Sequence, residues 1–338
     1  MNVPLNQLAA EEKLLILLCR LGFSDKQKSE ISNLMREVKD WDNFVRLVNE
    51  HCVIAIAAYN INEAGLAHLV PETPMKMLDN GRMKSMVRNA WLVERWKEVN
   101  KILSEAGIRD VLLKGMALEL TVYGSRGLRQ MTDNDVLVKK EEALVAWNLL
   151  QKHGYLPGMI KSPLHSKILT ETGYHMPPLQ KDGYFIEIHY RLFSEPGKNE
   201  KLNDAINNSA EIDINGTKAY VLNDRDHLDF LKEHIQKHLI SGLSQLMLYL
   251  DMELISPGSS PEFPEGFLSN PDQSMSLERR KTAFKVNFFS LPGSIRFRFL
   301  IGDIFPSLSW MKQRHKCGTI KAILFYPRRI GKLFWVLG

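Results

Sequence analysis

The chain has little of what would tie it to an oxidising compartment or a membrane. Only three of its 338 residues are cysteine. Cys19, Cys52 and Cys317 lie far apart, without the spacing of a zinc site or a disulfide framework. No uninterrupted apolar run approaches the ~18 residues that a membrane span requires. The opening MNVPLNQLAAEEKLLILLCR has no basic segment and sets acids ahead of its apolar stretch, which predicts no secretory signal. These absences point to a cytoplasmic protein in a reducing environment. No internal repeat is evident. Charge of neither sign dominates, since 44 Lys+Arg face 39 Asp+Glu for a net of +5. The surplus is concentrated in residues 257–338, with 13 basic against 5 acidic side chains. A basic end of this kind meets nucleic acid, anionic lipid or an acidic face of its own protein, and the last is expected here.

What is present is an ordinary globular composition, 44% hydrophobic and 25% charged. The length allows two or three domains and a sizeable core. Residues 1–90 read as helical, and RNAWLVERWKEVNKILSEA (88–106) as a longer amphipathic helix stopped by Gly107. IRDVLLKG then reads as a buried strand, MALELTVY as a short helix and GSRGLRQMT as a loop. DNDVLV is a second strand, EEALVAWNLLQKHG a helix closed by Gly154, and GYFIEIHYRLF a third strand. Residues 225–255 carry a helical stripe of leucines that predicts one long helix. PGSSPEFPEGFLSNPDQS has the composition of a linker or surface loop, and short basic-apolar helices follow it. The last of these, KAILFYPRRIGKLFWVLG, is expected to pack on the core rather than lie on a membrane surface. The predicted divisions are a helical region at 1–90, an α/β core at 91–200, a helical region at 201–256 and a basic helical region at 257–338.

The chemistry-bearing residues gather in the α/β core. Asp133 and Asp135 stand one residue apart at the start of a strand, where alternation points both carboxylates to one face. Two acids so placed hold a divalent cation, or else belong to a solvated turn. Lys114-Gly115 ends the preceding strand, and Glu187 lies on the third with His189 two residues on. His227, His234 and His238 form one helical stripe, the pattern of a half-buried edge lining a cleft.

The order LLKG, then YGSRGLRQMTDND, then IEIHY resembles the nucleotidyltransferase superfamily typified by DNA polymerase β and the kanamycin nucleotidyltransferases. It is most similar to a bacterial branch known as uncharacterised nucleotidyltransferases. The resemblance extends to the helix before the first strand, the helix after the core, and FPSLSWMKQRH near the end. It departs in having Lys-Gly where the superfamily has Gly-Ser or Gly-Gly, and the polar Asn134 between the two acids.

The resemblance implies an α+β fold: a minimal polymerase β-type core, a mixed sheet with helices, flanked by helical N- and C-terminal regions. It implies transfer of a nucleoside monophosphate, AMP being the expected one, from ATP or another NTP to a hydroxyl acceptor with release of pyrophosphate. Asp133 and Asp135 would hold one or two Mg2+, and Glu187 would complete the set and help deprotonate the acceptor. Gly115 would let backbone approach the phosphates, with amides of the MALEL helix as anion donors. Lys114 and Arg129 would offset the triphosphate charge. His189 would touch nucleotide or acceptor, or hydrogen-bond one of the acids. The rival reading is a catalytically inactive nucleotide-binding or interaction protein on the same fold. A nucleic-acid-directed enzyme is a weaker rival, because no recognised RNA module appears. The acceptor, base preference and oligomeric state are not written in the sequence.

Overall fold

A computed structural model describes residues 8–158, 161–193, 196–241, 245–263, 266–269, 285, 288–289, 291–329 and 331. It is α+β, helices with a seven-stranded mixed sheet and helical N- and C-terminal regions, as the resemblance implied. Along the chain run α1 (Ala10–Leu18), α2 (Asp25–Glu37), α3 (Trp41–Glu50), α4 (Ile54–Glu63), α5 (Glu72–Glu105), β1 (Val111–Leu112), α6 (Lys114–Thr121) and β2 (Asn134–Leu137). Next come α7 (Ala143–Lys152), β3 (Leu156–Pro157), α8 (Pro163–Thr172), β4 (Leu179–Lys181), β5 (Tyr184–His189), α9 (Leu202–Asn207), β6 (Ala210–Ile214) and β7 (Thr217–Val221). The described helices end with α10 (Asp224–Ser241), α11 (Leu246–Ile255), α12 (Gly293–Ile304), α13 (Leu308–Arg314) and α14 (Thr319–Ile323). Among the described residues, no helix is long and apolar enough to cross a membrane.

The chain divides into two compact units. One holds residues 1–101, 111–135 and 207–274; the other holds 102–110, 136–206 and 275–338.

In the first unit, helix starts follow capping chemistry. Ser24 accepts from Gln27 N while the Gln27 side chain returns to Ser24 N, and Asp40 accepts from Asn43 N at 2.8 Å. The apolar faces of α1 to α4 close on Leu14, Leu18, Phe44, Val48, Ile56 and Ile61, all fully buried. Each such side chain contributes about 1.5–3 kcal/mol by leaving water. Gly81 sits inside α5, where glycine costs about 1 kcal/mol relative to alanine. A Cβ there would lie 2.5 Å from Ile54 Cδ1, so close helix packing explains it.

The β6–β7 hairpin turns on Asn215-Gly216, at φ of 52° and 82°, the left-handed pair of a type I′ turn. Strand β7 runs parallel to β1, and Leu113 N donates to Asp135 O, tying the end of β1 to the start of β2.

Two sequence expectations change in this unit. The single helix over 225–255 is two helices, α10 and α11. Residues 242–244 lie outside the described residues, and Gln245 before α11 is extended. The Pro- and Ser-rich stretch after α11 is in part not a surface linker. Phe263 and Phe267 pack on Tyr249 with ring centroids 4.7 and 5.1 Å away, and Phe267 and Leu268 are buried. The apolar residues among the prolines outweigh the local composition. His51 secures this segment, since its Nδ1 accepts from Leu246 N at 3.2 Å and its Nε2 donates to Leu268 O at 3.1 Å. Burial pushes its pKa down to about 4.

In the second unit, β4 and β5 form a hairpin on Asp182-Gly183, again with both residues left-handed, at φ of 50° and 79°. Strand β3 pairs antiparallel with β4, and Val138 N donates to His189 O, so the far half of β2 joins β5. Tyr155, Tyr184, Ile186, Val136, Ala146 and Leu150 form a fully buried core. Helix α12 meets α8 through Arg298 and Glu171, 3.0 Å apart, and Asp303 accepts from Lys161. The C-terminal segment KAILFYPRRIGKLFWVLG is only partly described; residues 330 and 332–338 lie outside the described residues.

Candidate active site

In the first unit the site begins where β1 stops. The chain leaves Leu113 extended and enters α6 through Lys114 at φ of +46°. That left-handed backbone costs a non-glycine residue about 1 kcal/mol or more, strain of the kind found at functional sites. Lys114 is therefore the first residue of a helix rather than the end of a strand. Its Nζ donates to Asp135 Oδ1 at 2.7 Å, and the two side chains are only 15% and 7% exposed. Asp133 is not in the strand but in the bend before it, half-buried, with Thr132 Oγ1 donating to its Oδ1 at 3.3 Å. Asn134 between them is buried, and its Nδ2 donates to Leu92 O at 3.2 Å. The polar residue between the acids thus bonds α5.

Gly115 has a packing reason that the sequence did not reveal. A Cβ there would lie 2.9 Å from Arg129 Nη1 and from Met131 Cγ, so the returning loop fills the space beside it. Arg129 itself is committed to the fold. Its Nη2 donates to Asp251 Oδ2 at 2.8 Å, its Nε to the same oxygen at 3.2 Å, and its Nη1 to Gln130 O at 2.9 Å. Asp251 is fully buried and also accepts from Tyr123 OH at 2.8 Å. Burial works against the charged guanidinium, but Asp251 outweighs it and holds the pKa of Arg129 above its ordinary value.

The loop between α6 and β2 is pinned at several points. Buried Glu119 accepts from the amides of Gly127 and Arg129, Asn89 Nδ2 donates to Arg129 O at 2.9 Å, and Arg88 Nη2 to Thr132 O at 2.7 Å. Burial raises the pKa of Glu119 although those amides oppose it.

Helix α10 carries the histidine stripe. His227 is buried, and burial lowers its pKa to about 4. His234 and His238 have ring centroids 4.4 Å apart, and Phe230, one turn earlier, has Lys114 Nζ 5.9 Å from its ring. Burial first, then Lys114 and His238, lower the pKa of His234 to about 2. Lys237 on the same helix is lowered to about 8 by burial, against the pull of Glu233 and with the push of Lys114. Sequence reasoning did not single out Lys237; its sign was its place between His234 and His238.

In the second unit, Glu187 and His189 share one face of β5, while Ile186 and Ile188 fill the core on the other. Glu187 Oε2 lies 3.5 Å from His189 Nε2 and 3.8 Å from His175 Nε2. His175 was also missed by sequence reasoning, because only the antiparallel bridge between His175 and His189 brings it there.

The donors suit a divalent cation. In the second unit, Glu187 and His189 are separated by about the bite of two ligands on one ion.

No curated protein and no solved structure matches this chain. A family described as "Uncharacterised nucleotidyltransferase" matches residues 37–263, which span both the acids and the histidine stripe. The strand-to-helix step at Lys114, the acid-bearing strand after it and this match over most of the length place the chain in the uncharacterised nucleotidyltransferase family.

Proposed function

We propose that the protein is a metal-dependent nucleotidyltransferase that moves a nucleoside monophosphate, AMP in the first instance, from an NTP to a hydroxyl acceptor and releases pyrophosphate. The observation that carries it is the buried Asp135 carboxylate on β2, paired with Lys114 at the step from β1 to α6. Asp133, Asp135 and Glu187, the acids that the resemblance implies, are the residues assigned to a divalent cation, Mg2+ being the expected one. Bound there, such an ion would screen phosphate charge and lower the pKa of an acceptor hydroxyl.

The chain's own groups take the remaining tasks. Lys114 exchanges Asp135 for a phosphate oxygen when nucleotide arrives, and Lys237 supplies a second positive charge from α10. Glu187 takes the acceptor's proton. Arg129 holds the loop ahead of Asp133 through Asp251 rather than reaching the triphosphate, because its three nitrogens already donate to protein oxygens.

The test is incubation of purified protein with labelled NTPs, Mg2+ and a panel of hydroxyl acceptors, wild type beside Asp133→Ala and Asp135→Ala. Pyrophosphate release that disappears in Asp135→Ala supports the proposal. Its absence from wild type, or its survival in both variants, refutes it. A second reading, an inactive nucleotide-binding or interaction protein, is favoured by the same Lys114–Asp135 ion pair, which neutralises the acid in the resting fold. NTP binding that is independent of added metal would select it.

A further inference from the structure

Residues 304–338 contain seven lysines and arginines and not one acid. In the second unit this segment packs by one side only. Ala322 is fully buried, Tyr326 OH donates to Pro306 O at 2.6 Å, and Arg329 Nη2 donates to Asp303 O at 2.9 Å. The other side meets solvent. Ile320 and Ile323 on α14 and Leu324 at its C-cap stand at i, i+3 and i+4, which puts them on one helical face. They are 80%, 52% and 68% exposed, and Phe305 and Leu308 earlier in the segment are exposed as well. Large apolar side chains grouped in this way mark a docking surface.

The charges say what kind of surface it docks on. Lys312, Arg314, Lys316, Lys321 and Arg328 are exposed, and among the described residues none of them forms an ion pair with an acid. Buried Asp303 is already shared, accepting from Lys161 with Arg329 Nη2 3.5 Å away. Lys161, Arg314 and Arg329 also crowd the Trp310 ring, at 5.8, 5.8 and 4.9 Å from its centroid. Burial, and then the nearby Arg314, hold the pKa of Arg329 below its ordinary value. Among the described residues of this unit, the exposed cations find no acidic face of their own protein.

We propose that the face of Ile320, Ile323 and Leu324, with Lys316, Lys321 and Arg328 on the same stretch of chain, docks on the surface of an anionic lipid bilayer without crossing it. A bilayer interface takes both components at once, apolar side chains into the acyl boundary and lysine and arginine against anionic headgroups. A nucleic-acid strand would pair the cations, but its bases stack on aromatic rings and gain little from isoleucine and leucine. The proposal goes beyond the transferase reading and shares no residue with it.

The experiment is co-sedimentation of the full chain with vesicles of phosphatidylcholine alone and of phosphatidylcholine mixed with phosphatidylserine, with a labelled single-stranded RNA as a parallel probe. Binding to the phosphatidylserine vesicles should be at least about tenfold tighter than to phosphatidylcholine alone, and should weaken as salt is raised. The pair Ile320→Asn with Leu324→Asn and the pair Lys321→Glu with Arg328→Glu should each weaken it at least about tenfold. Val145→Gln removes an exposed apolar side chain from α7 and should leave it unchanged. Far-UV circular dichroism confirms that each variant is folded. Failure to bind phosphatidylserine vesicles, equal binding to both lipids, or binding unaffected by either pair overturns the proposal. RNA binding that is lost in the Lys321 and Arg328 pair and kept in the Ile320 and Leu324 pair, without vesicle binding, overturns it in favour of nucleic acid. No nucleotide is present, so the result is independent of pyrophosphate release.

Discussion

Replacing Asp251 tests the idea that Arg129 serves the fold. Asp251 is fully buried, bonds Arg129 through Nε and Nη2, and takes the Tyr123 hydroxyl. Asp251→Asn keeps an acceptor for Tyr123 but leaves the guanidinium without a counter-charge. Removing one member of a buried pair costs about 3–5 kcal/mol, because the other charge stays desolvated. The Arg129 side chain keeps 12% exposure, so the lower end of that range applies. With a urea m-value of about 2 kcal/mol/M, a loss of about 3 kcal/mol lowers the unfolding midpoint by about 1.5 M. Arg129→Met removes the other charge, and Met fills much of the same volume. If the two groups act as one buried unit, adding Arg129→Met to Asp251→Asn restores part of the loss. The double variant is then less destabilised than the sum of the singles by more than about 1 kcal/mol. Strict additivity, with coupling under about 0.5 kcal/mol, would refute the reasoning and free Arg129 for a direct phosphate role.

Two further outcomes follow from the first unit. His51 is held neutral with a pKa of about 4 in the folded state, against about 6.5 unfolded, so the unfolded chain binds more protons between those values. Its contribution is fully present above pH ~6.5 and falls as pH drops, by about 2 kcal/mol at pH 5. Urea midpoints should therefore decline from pH 7.5 to 5, and His51→Gln should flatten the decline; a wild-type midpoint equal at both pH values contradicts this. Gly127 has φ of +70°, and a Cβ there would lie 2.5 Å from Met86 Cα, a backbone atom that cannot turn aside. Gly127→Ala should cost about 2–4 kcal/mol from left-handed strain and overpacking together, and a thermal midpoint unchanged from wild type would rule that out.

Much of this molecule is legible along the chain. Helical periodicity marks the N-terminal helices, and the LLKG-to-DND-to-IEIHY order carries the α+β core and the family. Asn215-Gly216 and Asp182-Gly183 were readable as hairpin turns, though sequence reasoning passed over both; their φ values belong to type I′ turns. Other features have no local signal. Glycine at 115 is explained by Arg129 and Met131 returning beside it, and glycine at 81 by Ile54 from another helix. Phe267 and Leu268 sit in a stretch whose prolines and serines suggest exposure, yet Tyr249 offers them a buried surface.

The division follows from the range of the forces involved. Backbone preference, capping and amphipathic period act over a few residues, so the sequence alone determined element types, the acid-bearing strand and the family. Charge pairing and side-chain volume act between segments far apart in sequence. Only the tertiary structure decided that Arg129 belongs to Asp251, 122 residues away. Only it turned Lys114 onto Asp135 and brought His175 across to Glu187. Those contacts are non-local, and no spacing along the chain encodes them.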